Sequence, residues 1–287
     1  MLLFGKPVVE ELTTTTQQYM QSHNLLMKRV VFFLLSDDIP SRVYVERKVD
    51  YAKKLWIKGE IVLGADWEYE MVLEQIATYN QDDEVLGIVV QLPLAPQLQH
   101  AKDLILNAIL PHKDIDGLSA THVQAWQTPQ QTILPATAQA VLALLDYYGY
   151  GNVVNLPVLV IGQSNLVGYP LTLALQQRGA IVATATSDTT RDHLCEILQQ
   201  STIIISATGQ IGLLGEDFLP YLQEKHIIVD VGRGLVDGRP VGDTNWELLE
   251  SHVGAITPVP GGVWPVTIAC LFANMCQLHQ WYLQLQQ

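Results

Sequence analysis

The sequence predicts an α/β fold in two domains, one of them a Rossmann-like, doubly wound parallel sheet. Three observations carry this prediction. Strand-like and helix-like segments alternate through almost all of the 287 residues. The strand-like segments are short and apolar on both faces, as parallel strands covered by helices are. The segments joining them have crossover length, the condition for a right-handed doubly wound sheet.

In chain order, Arg29–Leu35, "RVVFFLL", reads as a buried strand and Ser41–Trp56 as a helix capped by Ser41. Val85–Leu94, "VLGIVVQLPL", is a second strand, ended by its prolines. Past the loop "PHKDIDGLSA", Ala136–Tyr148 has helical periodicity. Then "VLVIG", "AIVATAT", "TIIISATG" and "HIIVDVG" form a series of short strands, with helical stretches between the first three. The last twenty residues read as a long amphipathic helix. A domain boundary is expected near Thr128–Pro135, "TPQQTILP", which is polar and bracketed by prolines.

Bulk composition narrows the function. Hydrophobic residues make up 48% and charged ones 16%, which is globular composition. A formal net charge of −13 and the lack of a basic run disfavour nucleic acid and anionic membrane as partners. A small-molecule ligand is expected instead. Cys195, Cys270 and Cys276 are odd in number and lack CxxC spacing, so neither a disulfide framework nor a metal site is expected. The stretch "MLLFGKPVVEEL" lacks signal-peptide character, and no apolar run reaches the ~18 residues of a spanning helix. The expectation is a cytoplasmic, soluble protein.

Four features point to chemistry. First, Gly162–Gly168 in "VLVIGQSNLVGYP" has GxSxxxG spacing where a strand meets a helix. Gly162 permits a sharp turn, Gly168 lets the helix pack on the sheet, and Ser164 with the backbone amides can donate to phosphate. A cap by Ser164 or Asn165, without ligand, fits the same residues. Second, Asp188 in "VATATSDTT" lies where a dinucleotide fold accepts from the adenosine ribose, which would favour NAD over NADP. Asp188 or Ser187 as a simple helix cap is the alternative. Third, Tyr44 and Lys48 share one helix face at i, i+4, and burial would lower the lysine pKa toward general-base use; a surface lysine beside a half-buried tyrosine fits the same spacing. Gln91 closes an otherwise apolar strand at its carboxyl end, where open α/β sheets bind ligands. Fourth, "KDIDG" can present Asp116 to a polar heterocycle or form an Asp-Gly turn, and "ITPVPGGVWPVT" places Pro-Gly-Gly at a helix start.

Taken together, "LLFGKPVVEEL", "SRVYVERK", "GIVVQLPL", "KDIDG", "VIGQSNLVGYP", "ATGQ", "VDVG", "VGD" and "ITPVPGGV" resemble the bifunctional methylenetetrahydrofolate dehydrogenase/methenyltetrahydrofolate cyclohydrolases. The resemblance spans nearly the whole chain. It implies a folate domain at residues 1–130, completed by 266–287, a dinucleotide-binding domain at 131–265, and a homodimer. It implies Lys48, Tyr44, Gln91 and Asp116 as catalytic residues. Tyr44, Gln91, Leu92, Pro93, Asp116, Pro260, Gly261 and Gly262 would contact a tetrahydrofolate derivative. Gly162, Gln163, Ser164, Val167, Gly168, Ser187, Asp188, Thr208, Gly209, Gly232, Trp264 and Thr267 would contact NADP or NAD, and no metal is implied.

The chain departs from the family mainly in its cofactor half. Trp264 stands where "PGGVGPMT" has glycine, near the nicotinamide; "PCTP" becomes "PATA" at Pro135–Ala138, and "DVGIN" becomes "DVGRG" at Asp230–Gly234. Gln163 and "TSDTT" offer no basic residue to a 2′-phosphate, although Arg191 could substitute. The intact folate residues and the retained glycine loop imply both family activities, with NAD or NADP as cofactor and NAD favoured on local charge. The alternatives are a cyclohydrolase that has lost hydride transfer and a silent ligand-binding paralogue.

Overall fold

The computed structural model describes residues 1–128 and 132–286. Its elements are α1 (Gly5–Ser22), β1 (Arg29–Leu34), α2 (Ile39–Lys54), β2 (Lys58–Leu63), α3 (Tyr69–Asn80), β3 (Val85–Gln91), α4 (Lys102–Asn107), α5 (Ala120–Ala125) and α6 (Ala136–Tyr147). There follow β4 (Pro157–Ile161), α7 (Gly168–Gln177), β5 (Ile181–Ala185), α8 (Arg191–Gln200), β6 (Ile203–Ser206) and β7 (Ile227–Asp230). The chain ends with β8 (Gly234–Val236), β9 (Arg239–Val241), α9 (Trp246–Leu249), β10 (Ala255–Ile256) and α10 (Val263–Leu285). Contacts divide it into two units: Glu11–Ala136 with Ile268–Gln287, and Met1–Glu10 with Thr137–Thr267. The expected boundary at residues 130 and 131 lies outside the described residues.

The first unit is built on a parallel sheet of order β2-β1-β3. Val31, Phe33 and Leu35, with Ile88 and Val90, turn to one face and pack with Val72 and Ile76 of α3 and Ile105 of α4. Strand alternation sends Phe32, Leu34, Val89 and Gln91 to the other face, and α2 packs against β1 and β2. Helix α2 starts earlier than expected. Asp38, not Ser41, is its cap and accepts from the Ser41 amide at 2.8 Å, with Pro40 in the first turn. That register buries Tyr44, Val45, Lys48, Tyr51 and Ala52.

Beyond β3 the chain is fixed by one buried cation. Lys113 Nζ donates to the carbonyls of Tyr79, Asn80 and Asp82 at 3.1, 2.8 and 2.8 Å, satisfying the carboxyl end of α3. Its own carbonyl accepts from Ile88 N at 2.8 Å, so the loop runs beside β3. Asp114 then accepts from Gly117 N at 3.0 Å and Ser119 N at 2.8 Å. Asp116 is thus held in a loop braced on both sides.

The second unit carries a parallel sheet of order β10-β7-β6-β4-β5. Its core includes Leu159, Ile161, Leu198, Ile204, Ile228 and Leu249. Strand order reverses at β4, whose neighbours are β5 on one side and β6 on the other, which makes the carboxyl end of β4 a switch point. Residues 1–10, expected in the folate domain, group with this unit because Leu3 N donates to Ile256 O at 2.9 Å and Gly5 N to Gly261 O at 2.7 Å. Several elements were not anticipated from the sequence, among them α1, α3 and β10 and two further features. One is the edge strand β2, only partly buried, and the other is the hairpin β8–β9, turned by Asp237 and Gly238 at φ 51° and 75°. Helix α10 also starts before the expected final twenty residues.

Replacing Lys113 by methionine leaves three helix-end carbonyls without their charged donor. A loss of about 2–3 kcal/mol in urea unfolding is expected. An unchanged midpoint would show that the amine contributes nothing to this unit.

Candidate active site

Burial of a lysine amine dominates the carboxyl edge of the three-stranded sheet. Lys48 is 4% exposed, and its Nζ donates to Gln91 Oε1 at 3.0 Å. Gln91 ends β3 and is oriented by its own Nε2, which donates to Leu92 O at 2.8 Å. Pro93 follows at once, so the polar end of the strand leads directly into the loop. One helical turn from the lysine, the Tyr44 ring centroid lies 5.0 Å from Nζ, within cation–π range.

Burial pushes the Lys48 amine below the ordinary lysine value, while the Asp116 charge opposes that shift. Asp116 is pushed up, first by burial, against the influence of Lys48; Asp114 adds to the rise and the Ala136 amide counters it. Desolvation therefore moves both groups toward neutrality. An amine that gives up its proton readily, beside an amide that does not titrate, can take a proton from bound water.

The carboxyl edge of the five-stranded sheet is shaped by close backbone approach. Gly162 has φ +93°, and a Cβ there would lie 2.4 Å from Ala207 O; a Cβ on Gly168 would lie 1.8 Å from Gly162 O. The glycine loop thus presses against the start of α7 and the loop after β6. The capping alternative is not realised. Val167 precedes α7 and its side chain makes no cap bond, while the Ser164 carbonyl accepts from Tyr169 N at 3.1 Å; Ser164 and Asn165 stay exposed. Gln163 instead folds back, its Nε2 donating to Gly162 O at 3.0 Å and Thr172 Oγ1 at 3.2 Å.

After β5, Ser187 and Asp188 are exposed, and neither caps α8; Thr190 does, accepting from His193 N at 3.4 Å. The Asp188 amide donates to Thr186 Oγ1 at 3.3 Å. Arg191 is engaged elsewhere, 3.1 Å from Asp217 and stacked on Phe218.

Two buried carboxylates organise the next loops, and neither was singled out from the sequence. Asp243 Oδ2 accepts from Ser206 Oγ, Thr208 N and Thr208 Oγ1, each at 2.8 Å. Asp230 accepts from Gly232 N at 2.7 Å, Asp243 N at 3.0 Å, and Thr244 N and Oγ1 at 2.8 and 2.7 Å. Burial pushes Asp230 up to about 6, against the Thr244 hydroxyl and the backbone amides. The available signal was an aspartate within two residues of a glycine in both "VDVG" and "VGD".

The same loops hold Trp264. Its Nε1 donates to Gly232 O at 3.2 Å, and the Arg233 guanidinium lies 5.1 Å from its ring centre. Two of the departures from the family pattern, Trp264 and Arg233, are therefore in contact. Gly209 adopts φ +71° with open space where a Cβ would be. Thr267 is buried, its hydroxyl donating to Val263 O at 3.4 Å. Pro260, Gly261 and Gly262 form the loop before α10, with Gly261 at φ +111° and Gly262 N donating to Pro258 O at 2.8 Å. The structure brings Tyr44, Lys48, Gln91 and Asp116 together in one unit. It places the glycine loop, Thr208, Gly232, Trp264 and Pro260–Gly262 in the other.

Comparison with known proteins also divides the chain in two, although residues 3–10 and 268–283 match the model of the domain other than the unit they group with. The family model for the tetrahydrofolate dehydrogenase/cyclohydrolase catalytic domain matches residues 3–116, and that for its NAD(P)-binding domain matches residues 135–283. The bifunctional protein FolD of Lactobacillus acidophilus is 37% identical over 245 residues, covering 85% of this chain and 84% of that protein. A Thermus thermophilus protein of the same name is 37% identical over 241 residues, covering 84% and 82%. Among solved structures, the bifunctional enzyme FolD of Campylobacter jejuni has a TM-score of 0.91 at 32% identity, covering 98% of this chain and 99% of that one. The Trypanosoma brucei enzyme, solved with NADP and an inhibitor, has a TM-score of 0.87 at 27% identity, covering 99% and 98%.

Because the Asp116 charge supports the protonated amine, Asp116→Asn is expected to lower the Lys48 pKa further. A ¹³Cε-lysine NMR titration reads this directly. A Lys48 pKa that is unchanged or raised in the variant would contradict the assigned coupling.

Proposed function

The chain belongs to the tetrahydrofolate dehydrogenase/cyclohydrolase family, and from that premise we propose that it oxidises 5,10-methylenetetrahydrofolate to 5,10-methenyltetrahydrofolate and hydrolyses the product to 10-formyltetrahydrofolate. The observation that carries the reading is the buried Lys48 amine, bonded to Gln91, stacked on Tyr44 and coupled to Asp116. Asp116 binds the pterin ring and Tyr44 lines the folate pocket, with Leu92 and Pro93 as further contacts. Loss of hydride from the methylene bridge leaves a methenyl cation. Water adds to that carbon as its proton passes to the neutral Lys48 amine, which Gln91 orients. The bond from the carbon to N5 then breaks, and the nitrogen regains a proton.

A bound nicotinamide dinucleotide supplies the hydride acceptor. Its pyrophosphate would approach the tight turn at the start of α7, where Gly162 and Gly168 leave no room for a side chain, beside Gln163, Ser164 and Val167. Ser187 and Asp188 meet the adenosine ribose; Thr208, Gly209, Gly232, Trp264 and Thr267 hold the nicotinamide side. NAD is preferred, because Asp188 repels a 2′-phosphate and Arg191 is paired with Asp217. Trp264, tied to Gly232 and covered by Arg233, favours a second reading in which hydride transfer is impaired while hydrolysis persists.

The protein acts as a homodimer in the cytoplasm, without nucleic-acid or membrane partners. Exposed Ile211, Leu235 and Val236 offer a second copy an apolar surface. The three buried free thiols suit a reducing compartment.

Lys48→Met is expected to lower hydrolysis of methenyltetrahydrofolate by roughly 10²–10⁴-fold while folate binding, read by calorimetry, persists. In the wild type the hydrolysis rate should rise with pH through the lowered amine pKa, because the neutral amine is the active form. A Lys48→Met enzyme hydrolysing at the wild-type rate would refute the reading. Removing the carboxylate with Asp188→Ala should shift the kcat/KM ratio about tenfold toward NADP, an order of magnitude set by one charged contact; an unmoved ratio would separate Asp188 from cofactor choice.

A further inference from the structure

One buried hydroxyl near the lysine has no role in the fold. Ser36, in the loop from β1 to α2, is 8% exposed, and its Oγ has no hydrogen-bond partner. Buried hydroxyls in native structures are almost always bonded, so such a group calls for a partner that binds later.

Its position suggests which partner. β1 is the central strand of its sheet, and Ser36 lies just past that strand's carboxyl end, where parallel sheets bind ligands. Gly64 N takes the carbonyl of Leu34 at 3.2 Å, and Ala95 N takes that of Leu35 at 2.8 Å, so the backbone leading to Ser36 is fixed against both neighbours. Phe33 and Leu35 point into the cluster with α3 and α4. Leu34, the last residue of β1, turns to the opposite face and is in register against Gln91, and Ser36 follows two residues on, at the bend that leads into α2. Lys48 reaches that same face by its bond to Gln91. Within the loop, Asp38 is already used as the helix cap, and Ser41 Oγ lies 3.5 Å from Leu92 O. Ser36 is left with both its donor and its acceptor capacity.

We propose that Ser36 is a folate-contacting residue, its hydroxyl bonding a carbonyl or ring nitrogen of the bound folate beside Lys48 and Gln91. The proposal rests on the folate reading of this site. Since an aliphatic hydroxyl does not titrate near neutrality, Ser36 contributes to binding rather than to proton transfer, and its loss appears in KM rather than kcat.

Ser36→Ala tests this with three readouts on the same preparation: thermal midpoint without ligand, and KM and kcat for methenyltetrahydrofolate hydrolysis. Deleting a hydroxyl that nothing in the protein satisfies should leave the midpoint unchanged or raise it. KM should rise about five- to fifteen-fold, the effect of one lost neutral hydrogen bond, with kcat within about twofold of wild type. A KM within about twofold of wild type overturns the assignment on the same scale. So does a fallen midpoint or a variant that does not fold, which would mean the hydroxyl serves the protein itself. Wild-type enzyme that hydrolyses the folate beside an indifferent variant removes Ser36 alone; wild-type enzyme without hydrolysis removes the folate reading and this proposal with it.

Discussion

A lysine amine taken out of water and given a neutral partner is the constraint on which the first unit turns. Burying Lys48 is costly if it stays charged, and the protein lowers that cost by letting the amine deprotonate more easily and by aiming it at Gln91. Everything nearby serves that placement. The Asp38 cap sets the register of α2, which fixes the direction of Lys48; β3 sets Gln91 at its polar end; Lys113 and Asp114 hold the loop that carries Asp116. The linkage is readable in stability. Since the folded pKa lies below the unfolded one, Lys48 binds fewer protons when folded, and its contribution to stability grows as pH rises from the folded value toward 10.5. Asp116 has the opposite sign: it holds its proton longer when folded, so its contribution falls as pH rises from 3.8 through its raised pKa.

In the second unit the governing constraint is backbone proximity. Contacts at Gly162 and Gly168 leave no room for a side chain, which presses the loops after β4 and β6 together against the start of α7. Asp230 and Asp243 hold the adjoining loops by seven hydrogen bonds between them, and a Cβ on Gly232 or Gly242 would fall 2.1 Å from one of their oxygens. Trp264 uses the same framework, through the carbonyl of Gly232.

Much of this was legible in the chain. Fully buried strands such as β1, β3 and β6 announce themselves as apolar runs, and the i, i+4 spacing of Tyr44 and Lys48 already places them on one face. Other features were not. β2, "KGEIVL", is an edge strand that mixes charge with partly exposed apolar residues, so it lacks that signature. Asp38 and Ser41 are both good caps three residues apart, and Pro40 was the signal in favour of the first. The bonds of Asp230 and Asp243 join residues distant in sequence, and an isolated serine such as Ser36 after a strand looks like any turn residue.

The measurement closest to the central claim is a paired assay on one purified preparation of the unmodified protein. Loss of methenyltetrahydrofolate absorbance reports hydrolysis, and cofactor reduction with methylenetetrahydrofolate, run separately with NAD and NADP, reports hydride transfer. The account predicts both reactions at enzyme-like rates, with NAD the better acceptor. Cofactor reduction without hydrolysis, or neither reaction, would contradict the role assigned to the buried lysine.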